Sequence, residues 1–237
     1  MVMRRDKTCG CENYGLFVRS QPSRRAALTA AGAMLLAATT DRGSQAQTNL
    51  SPDAALARLM KGNNRYVSKR LTSFEEDLTV LRQNTVVKQQ PFAAVLSCSD
   101  SRVPVELIFD QAIGHIFVAR DAGNICTPEI MASLEYGAAV LGTPVILVLG
   151  HEGCGAVKAA IAGKAVPGQI SALFAPLRQA VDQGKADMVA TIKANAQIQA
   201  NLLRTASPVL AGLISDGRLK VTSGYYSLGT GSVTLLG

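Results

Sequence analysis

The stretch Pro144-Val145-Ile146-Leu147-Val148-Leu149-Gly150-His151-Glu152-Gly153-Cys154 passes from a proline through five consecutive apolar residues to small, polar and metal-ligating ones. Five apolar residues with no polar alternation suit a strand covered on both faces. A second run of the same kind, Pro91-Phe92-Ala93-Ala94-Val95-Leu96, stops at Ser97-Cys98 and leads into Ser99-Asp100-Ser101-Arg102. Both read as buried parallel strands. A further strand over Ile116-Phe117-Val118-Ala119 and a helix from Thr127 to Leu141 lie between them in the chain. That strand–helix–strand order predicts an α/β fold, a parallel-core β-sheet flanked by helices with right-handed crossovers.

In an open parallel sheet, ligands gather beyond the carboxyl ends of the strands, near the point where strand order reverses. Cys98 and His151 stand at two such ends, and Cys154 opens a helix over Gly155-Ala156-Val157-Lys158-Ala159-Ala160-Ile161. Free N–H groups and the helix dipole favour an anion there, so the Cys154 thiol is expected to ionise easily. Two thiolates and one imidazole are ligands that zinc takes, and three protein ligands leave a fourth tetrahedral position for water or a carboxylate. Each motif alone is weak. Cys-x-Asp-x-Arg can be a turn closed by a local salt bridge, and His-x-x-Cys is common by chance. Their occurrence at two strand ends makes a zinc site the expectation.

Cys98-x-Asp100-x-Arg102 followed at long range by His151-x-x-Cys154 resembles the β-class carbonic anhydrases, and the likeness runs from about Ser51 to the C-terminus. The blocks Glu106-Leu107-Ile108-Phe109-Asp110, Phe117-Val118-Ala119-Arg120-Asp121-Ala122-Gly123-Asn124, Ser133-Leu134-Glu135-Tyr136-Gly137 and Gly150 to Val157 are similar to that family's, as is Lys220 to Gly231 near the end. Ser223-Gly224 stands where the family usually has Gly-Ala, Ser227 where it has Asp, His115 where Asp is common and Asp121 where Asn is common. These departures bear on loop contacts and pH response and leave the ligand set intact. The resemblance implies a β-carbonic-anhydrase-like fold with an N-terminal helical arm and one zinc per chain. It also implies reversible hydration of carbon dioxide to bicarbonate and a proton, and a homodimer or higher even homo-oligomer.

Asp100 and Arg102 carry the next layer. Two residues after Cys98, Asp100 can accept a hydrogen bond from a water on the zinc or bind zinc itself and close the site, and Arg102 decides which by holding the carboxylate away. Asp100 is thus a catalytic candidate and a candidate metal ligand beside Cys98, His151 and Cys154, with Arg102 its catalytic partner. The plainer alternative is an ion pair capping a turn. Glu152 is a weaker candidate, and His115, alone in its segment, reads as a surface or core histidine rather than a proton shuttle. Tyr136 and Phe109 read as packing residues, and Val103, Ile125 and Ala156 suit a small apolar pocket. Two other functions stay open: hydrolysis of carbon disulfide or carbonyl sulfide on the same fold, and a non-enzymatic zinc-binding module. The Asp100-Arg102 pair disfavours the second, because a structural metal site needs a closed ligand set and no nucleophile-positioning pair.

With 237 residues, 48% hydrophobic and only 5% aromatic, the chain can bury one core of Val, Ile, Leu and Ala. The formal charge is +7, but seven of the 24 Lys/Arg and three of the 17 Asp/Glu precede Gln47, so the remainder is mildly basic. No Lys/Arg cluster interleaved with aromatics follows, which argues against nucleic acid. Residues 1–46 read as a signal peptide and 47–237 as the single domain. Ser23-Arg24-Arg25 precedes the apolar Ala26 to Ala38, and Ser44-Gln45-Ala46 offers small residues to a signal peptidase. The paired arginines and Ala-rich core resemble a twin-arginine signal, with Ala26 departing from the favoured pattern; a general secretory signal is the alternative, and a short membrane anchor a weaker one, because the apolar stretch falls short of the roughly 20 residues a spanning helix needs. The protein is expected to be periplasmic or otherwise exported, with no membrane span once the signal is removed. Of five cysteines, Cys9 and Cys11 fall in the leader, and Cys126 reads as a small buried side chain. Ser51-Pro52-Asp53 starts a helix that is expected to end near Gly62-Asn63-Asn64. The family resemblance makes this helix a dimerisation arm, and packing on its own domain is the other reading. Helices over Ile170 to Val181 and Asp187 to Leu203, and a last strand from Leu219 to Tyr226, complete the expectation.

Overall fold

Both apolar runs form strands with no exposed residue: β1 (Ala93–Cys98) and β3 (Val145–His151). The computed structural model describes residues 48–73, 86 and 88–237, so the leader, with Cys9 and Cys11, lies outside the described residues. Together with β2 (Ile116–Asp121), β4 (Lys220–Tyr226) and β5 (Val233–Leu236), they make a five-stranded sheet in the order β2-β1-β3-β4-β5. All neighbours are parallel except β4 and β5. From β1 the chain adds β2 on one side and β3 on the other, so strand order reverses between β1 and β3. Cys98 and His151 end those two strands.

Side chains alternate between the two faces of a strand, and the core divides accordingly. Ala93, Val95, Val145, Leu147 and Leu149 join the cluster under the first helix, while Ala94, Leu96, Ile146 and Val148 pack on the opposite side with Leu134, Ala196, Ala200, Leu203 and Leu210. A smaller cluster, Cys98, Ile125, Cys154, Val157, Leu177 and Ile192, sits at the carboxyl ends of the strands.

Helix α1 (Pro52–Val67) begins as expected, with the Ala54 N–H donating to Ser51 Oγ over 3.2 Å and proline in the first turn. It does not stop at Gly62-Asn63-Asn64. A Cβ on Gly62 would stand 1.7 Å from the Phe109 carbonyl oxygen, so glycine permits a close crossing rather than marking an end. Asn63 is buried inside the helix; its Nδ2 donates to the Ile108 and Gly231 carbonyls, and its Oδ1 accepts the Val233 N–H. Ala55, Leu56 and Leu59 are buried in the chain's own core, so α1 seats its apolar face on its own domain.

The short helix α2 (Val105–Ile108) follows β1, and α3 (Pro128–Glu135) follows β2. The helix expected to run to Leu141 changes after Glu135 into one π-helical segment, Tyr136–Val140. There Gly137 faces the Phe117 ring of β2, where a Cβ would stand 3.2 Å from the ring. Beyond β3 come α4 (Gly155–Ala162), a 3₁₀ segment Gly168–Leu173, α5 (Phe174–Gln183) and α6 (Met188–Ala206). An additional helix, α7 (Pro208–Ser215), was not anticipated, although Ser207-Pro208 repeats the cap-and-proline signal of Ser51-Pro52. The Leu210 N–H donates to Ser207 Oγ over 3.0 Å, and that hydroxyl donates to Glu135. Strand β5 also lies beyond the strand expected to be last.

Candidate metal centre

The end of β1, the end of β3 and the N-cap of α4 deliver Cys98, His151 and Cys154 to one place. Their ligand atoms all lie within 4.8 Å of one another and all three residues are buried. The two sulfurs are 4.0 Å apart, close to the ~3.8 Å edge of a tetrahedron built on zinc–sulfur bonds of about 2.3 Å. His151 Nδ1 lies 2.9 Å from the Glu152 carbonyl, which can only accept, so Nδ1 carries the proton and Nε2 the lone pair. Nε2 is buried without a hydrogen-bond partner. A polar atom so placed costs about 1–3 kcal/mol unless something takes its lone pair, and a cation shared with two thiolates does so. The donor set and its spacing therefore fit a zinc ion.

Without a metal the two thiols titrate as a pair. The contact with the Cys154 thiol lowers Cys98, against the opposing effect of burial, with the Gly123 N–H adding to it. Cys154 is pushed far up by the same contact with Cys98, by burial and by the charge already on Cys98. One negative charge on the pair is favoured, and burial together with that charge opposes the second.

Arg102 grips Asp100 from two sides. Its Nε and Nη2 donate to Oδ1 and Oδ2 over 2.9 and 2.8 Å, and its backbone N–H donates to Oδ1 over 2.9 Å. These bonds, the side-chain pair foremost, hold the Asp100 carboxyl well below the usual carboxylate range. Nη2 also donates over 3.2 Å to the carbonyl of Gly153, tying the loop after β1 to the loop after β3. Asp100 Oδ2 stands 4.0 Å from His151 Nε2, outside the cluster of three that can hold a metal. Of the two states open to Asp100, the geometry thus shows the one in which arginine holds the carboxylate.

Arg120 was not singled out from the sequence, yet its Nε donates to the Cys98 carbonyl over 2.9 Å and its Nη2 to the Asp100 carbonyl over 2.7 Å. It fixes the backbone between the first ligand and the carboxylate. Its place one residue before the end of a strand pairing with β1 was the available signal, but register is not written in a motif. Asp121 pairs in register with Cys98. Burial pushes its carboxyl up to about 7, partly offset by the Ile125 N–H on Oδ1 and reinforced by charge on Cys98.

The remaining candidates disperse. Glu152 holds the turn after β4, accepting from the Gly229 N–H and Ser227 hydroxyl, which keep its carboxyl below the ordinary value. His115 lies just before β2, at the opposite end of that strand from Asp121, with its ring edge-on to Phe92 and Nδ1 3.5 Å from Arg58. Phe109 is core, whereas Tyr136 is 47% exposed and tilts against Phe117. Ile125 and Ala156 border the metal cluster, but Val103 packs in the core beneath α1. Cys126 is half-buried, and burial pushes its thiol up to about 11.

Residues 93–233 match a family model described as carbonic anhydrase. Carbonic anhydrase 2 of Mycobacterium tuberculosis is 32% identical over 195 residues, covering 79% of this chain and 94% of the relative. The carbonic anhydrase of Pseudomonas aeruginosa is 34% identical over 173 residues, covering 66% of this chain and 78% of the relative. Among solved structures, the β-carbonic anhydrase CafA of Aspergillus fumigatus superposes with a TM-score of 0.59 at 26% identity, over 78% of this chain and 89% of that one. One of two tetrameric β-carbonic anhydrases of Sordaria macrospora superposes with a TM-score of 0.61 at 22% identity, over 77% of this chain and 96% of that one, and shares the fold.

Proposed function

The chain belongs to the β-carbonic anhydrases, and from that membership and the site we infer that it catalyses the reversible hydration of carbon dioxide to bicarbonate and a proton, with one zinc ion held by Cys98, His151 and Cys154. The observation that carries the zinc is the buried, unpartnered Nε2 of His151 facing two thiols whose sulfurs are 4.0 Å apart. Zinc in such a site supplies Lewis acidity and a nucleophile generated from water near neutral pH.

The chain's own residues do the rest. The Glu152 carbonyl accepts from Nδ1 and so fixes the His151 tautomer that leaves the Nε2 lone pair for a metal. Arg102 holds Asp100 as a carboxylate beside the ligand cluster, where it accepts a proton-bearing hydrogen bond and orients the attacking oxygen. Arg120 holds the intervening backbone. Ile125 and Ala156 offer apolar walls suited to a small uncharged substrate.

The test is zinc content and carbon dioxide hydration by the purified protein, measured beside Cys98→Ser and Cys154→Ser and with carbon disulfide and carbonyl sulfide as competing substrates. About one zinc per wild-type chain, loss of metal in both variants and turnover of carbon dioxide are expected. Wild-type zinc content in either variant would remove the ligand set, and turnover of the sulfur compounds alone would change the substrate.

Two further proposals accompany this reading. Residues 1–46 direct export, supported by the Arg24-Arg25 pair, the apolar stretch after it and Ser44-Gln45-Ala46. Arg24→Lys together with Arg25→Lys should then block a twin-arginine route, and N-terminal sequencing of the exported protein should begin at Gln47. The chain also forms a homo-oligomer of even order, supported by the family resemblance and tested by sedimentation. No helix among the described residues is long and apolar enough to cross a membrane.

A further inference from the structure

One hydrogen bond to the metal cluster comes from outside its motifs. The Gly123 N–H lies 3.3 Å from Cys98 Sγ. Gly123 has a φ of 94°, in the left-handed region, and a Cβ there would stand 3.2 Å from the Ala156 side chain. Only glycine adopts this conformation at little cost, and the same freedom means that the residue aiming its N–H at the sulfur must be held in place. The hold is on the next peptide, across the Gly123 Cα, where the Gly123 carbonyl accepts from Asn195 Nδ2 over 2.8 Å. Asn195 lies on α6 and is 1% exposed.

An amide can face either way round, and the contacts here fix which. The Cys126 N–H can only donate, so Gln199 presents Oε1 to it, at 2.9 Å. Gln199 Nε2 is therefore the atom that faces Asn195, donating to Oδ1 over 3.1 Å. Asn195 is left to present Nδ2, a donor, to the Gly123 carbonyl. The relay Cys126–Gln199–Asn195–Gly123–Cys98 has a single consistent sense. Two buried amides one turn apart, among Ile192, Ala196, Ala200 and Leu203, would weaken an apolar helix face if they served packing alone.

We propose that Asn195 is a positioning residue for the metal ligand Cys98, acting through the backbone of Gly123, whose two flanking peptides carry the N–H on the sulfur and the carbonyl that Asn195 holds, with Gln199 setting which way its amide faces. The inference rests on the zinc reading of Cys98, His151 and Cys154. The Gly123 N–H fixes the sulfur and draws electron density from it, as bonds to the outer atoms of metal ligands do.

Gln199→Glu and Asn195→Asp nearly preserve shape while removing the required donor. In Gln199→Glu the carboxylate still accepts the Cys126 N–H but draws Asn195 Nδ2 away from Gly123. Zinc affinity is measured by chelator competition, and the thiolate-to-cobalt charge-transfer band is recorded in cobalt-substituted protein. Both variants should bind zinc about 10–100-fold more weakly and move the band to lower energy, as expected of a sulfur that has lost a hydrogen bond. Leu203→Ala, a cavity in the same helix, should lower Tm and leave both readouts at wild type. Wild-type affinity and band in folded Gln199→Glu and Asn195→Asp would overturn the proposal, as would equal shifts in Leu203→Ala. In cadmium-113-substituted wild type, which requires no variant to fold, the Gly123 amide proton should show scalar coupling to the metal, and its absence would also overturn the relay. A wild-type protein that binds zinc no better than Cys98→Ser would instead remove the zinc reading, and the relay's role with it.

Discussion

At the scale of single residues, Asp100 and Arg102 separate by the way each loses activity. Removing the guanidinium in Arg102→Ala frees a carboxylate that already stands 4.0 Å from His151 Nε2. Arg102→Ala should keep zinc, gain Asp100 as a fourth protein ligand by X-ray absorption and lose turnover. Asp100→Asn should keep zinc with three protein ligands and lose roughly 10²-fold in hydration rate, the lower part of the range for a proton-handling group. Full activity of Asp100→Asn across pH would reduce the pair to a structural turn. Asp121 offers a pH test. Its carboxyl is raised from the ordinary 3.8 to about 7, chiefly by burial, so between these values the folded state holds a proton that the unfolded state has released. Its stabilising contribution is complete below pH 3.8 and is lost as pH rises through about 7. Asp121→Asn should flatten that part of the stability curve in chemical denaturation of the metal-free protein. A curve unchanged by the substitution would show that Asp121 is not the group titrating.

At the scale of elements, α1 is tied down at three points: Leu56 and Leu59 in the core, Asn63 between Ile108 and β5, and Arg65 on Asp110. Deleting residues 51–67 should therefore expose the core and give insoluble protein, whether or not the helix also meets a second subunit. A soluble, active product on sedimentation and assay would contradict this seating. Gly62→Ala would put a carbon 1.7 Å from the Phe109 carbonyl oxygen and should force the helix off α2. Asp110 closes the same region. Although burial opposes it, the Arg65 guanidinium and the Ser73 and Thr72 N–H groups hold its carboxyl well below the usual range. A depressed carboxyl contributes stability above its unfolded value of 3.8 that is lost as pH falls toward its folded one. Asp110→Asn should consequently be less stable than wild type at pH 7, and the gap should narrow in denaturant titrations below pH 4. A gap independent of pH would locate the effect in packing rather than charge.

At the scale of the whole molecule, the metal centre joins parts distant in sequence: two strand ends, a helix N-cap, the Gly123 turn and, through Asn195, a helix after β3. Zinc that binds only the folded arrangement should raise Tm with concentration, by about 2.7 kcal/mol of stability at a hundredfold excess over Kd. Equal Tm with and without chelator would show that the cluster does not bind metal in the folded state. Much of this arrangement was legible from composition and pattern. Unbroken apolar runs ending in Cys98 and His151 suffice for a doubly covered parallel sheet, because strand burial on both faces leaves no polar alternation to obscure them.

The sequence by itself determined the parallel core, the three ligand candidates, the Asp100-Arg102 pair and the start of α1, all of which depend on residue type and on spacing within a few positions. Helix boundaries were less legible. Gly62, Asn63 and Gly137 look like terminators or ordinary helix residues until Phe109, β5 and Phe117 come up against them. The tertiary structure alone decided that the Cys98 and Cys154 thiols lie close enough to titrate together, that Arg120 braces the loop between ligand and carboxylate, and that Val103 belongs to the core beneath α1. It also decided that Asn195 reaches Cys98 through Gly123. Each of these depends on strand register or on a helix crossing, which brings residues tens of positions apart within hydrogen-bond distance, and no local pattern encodes such distances.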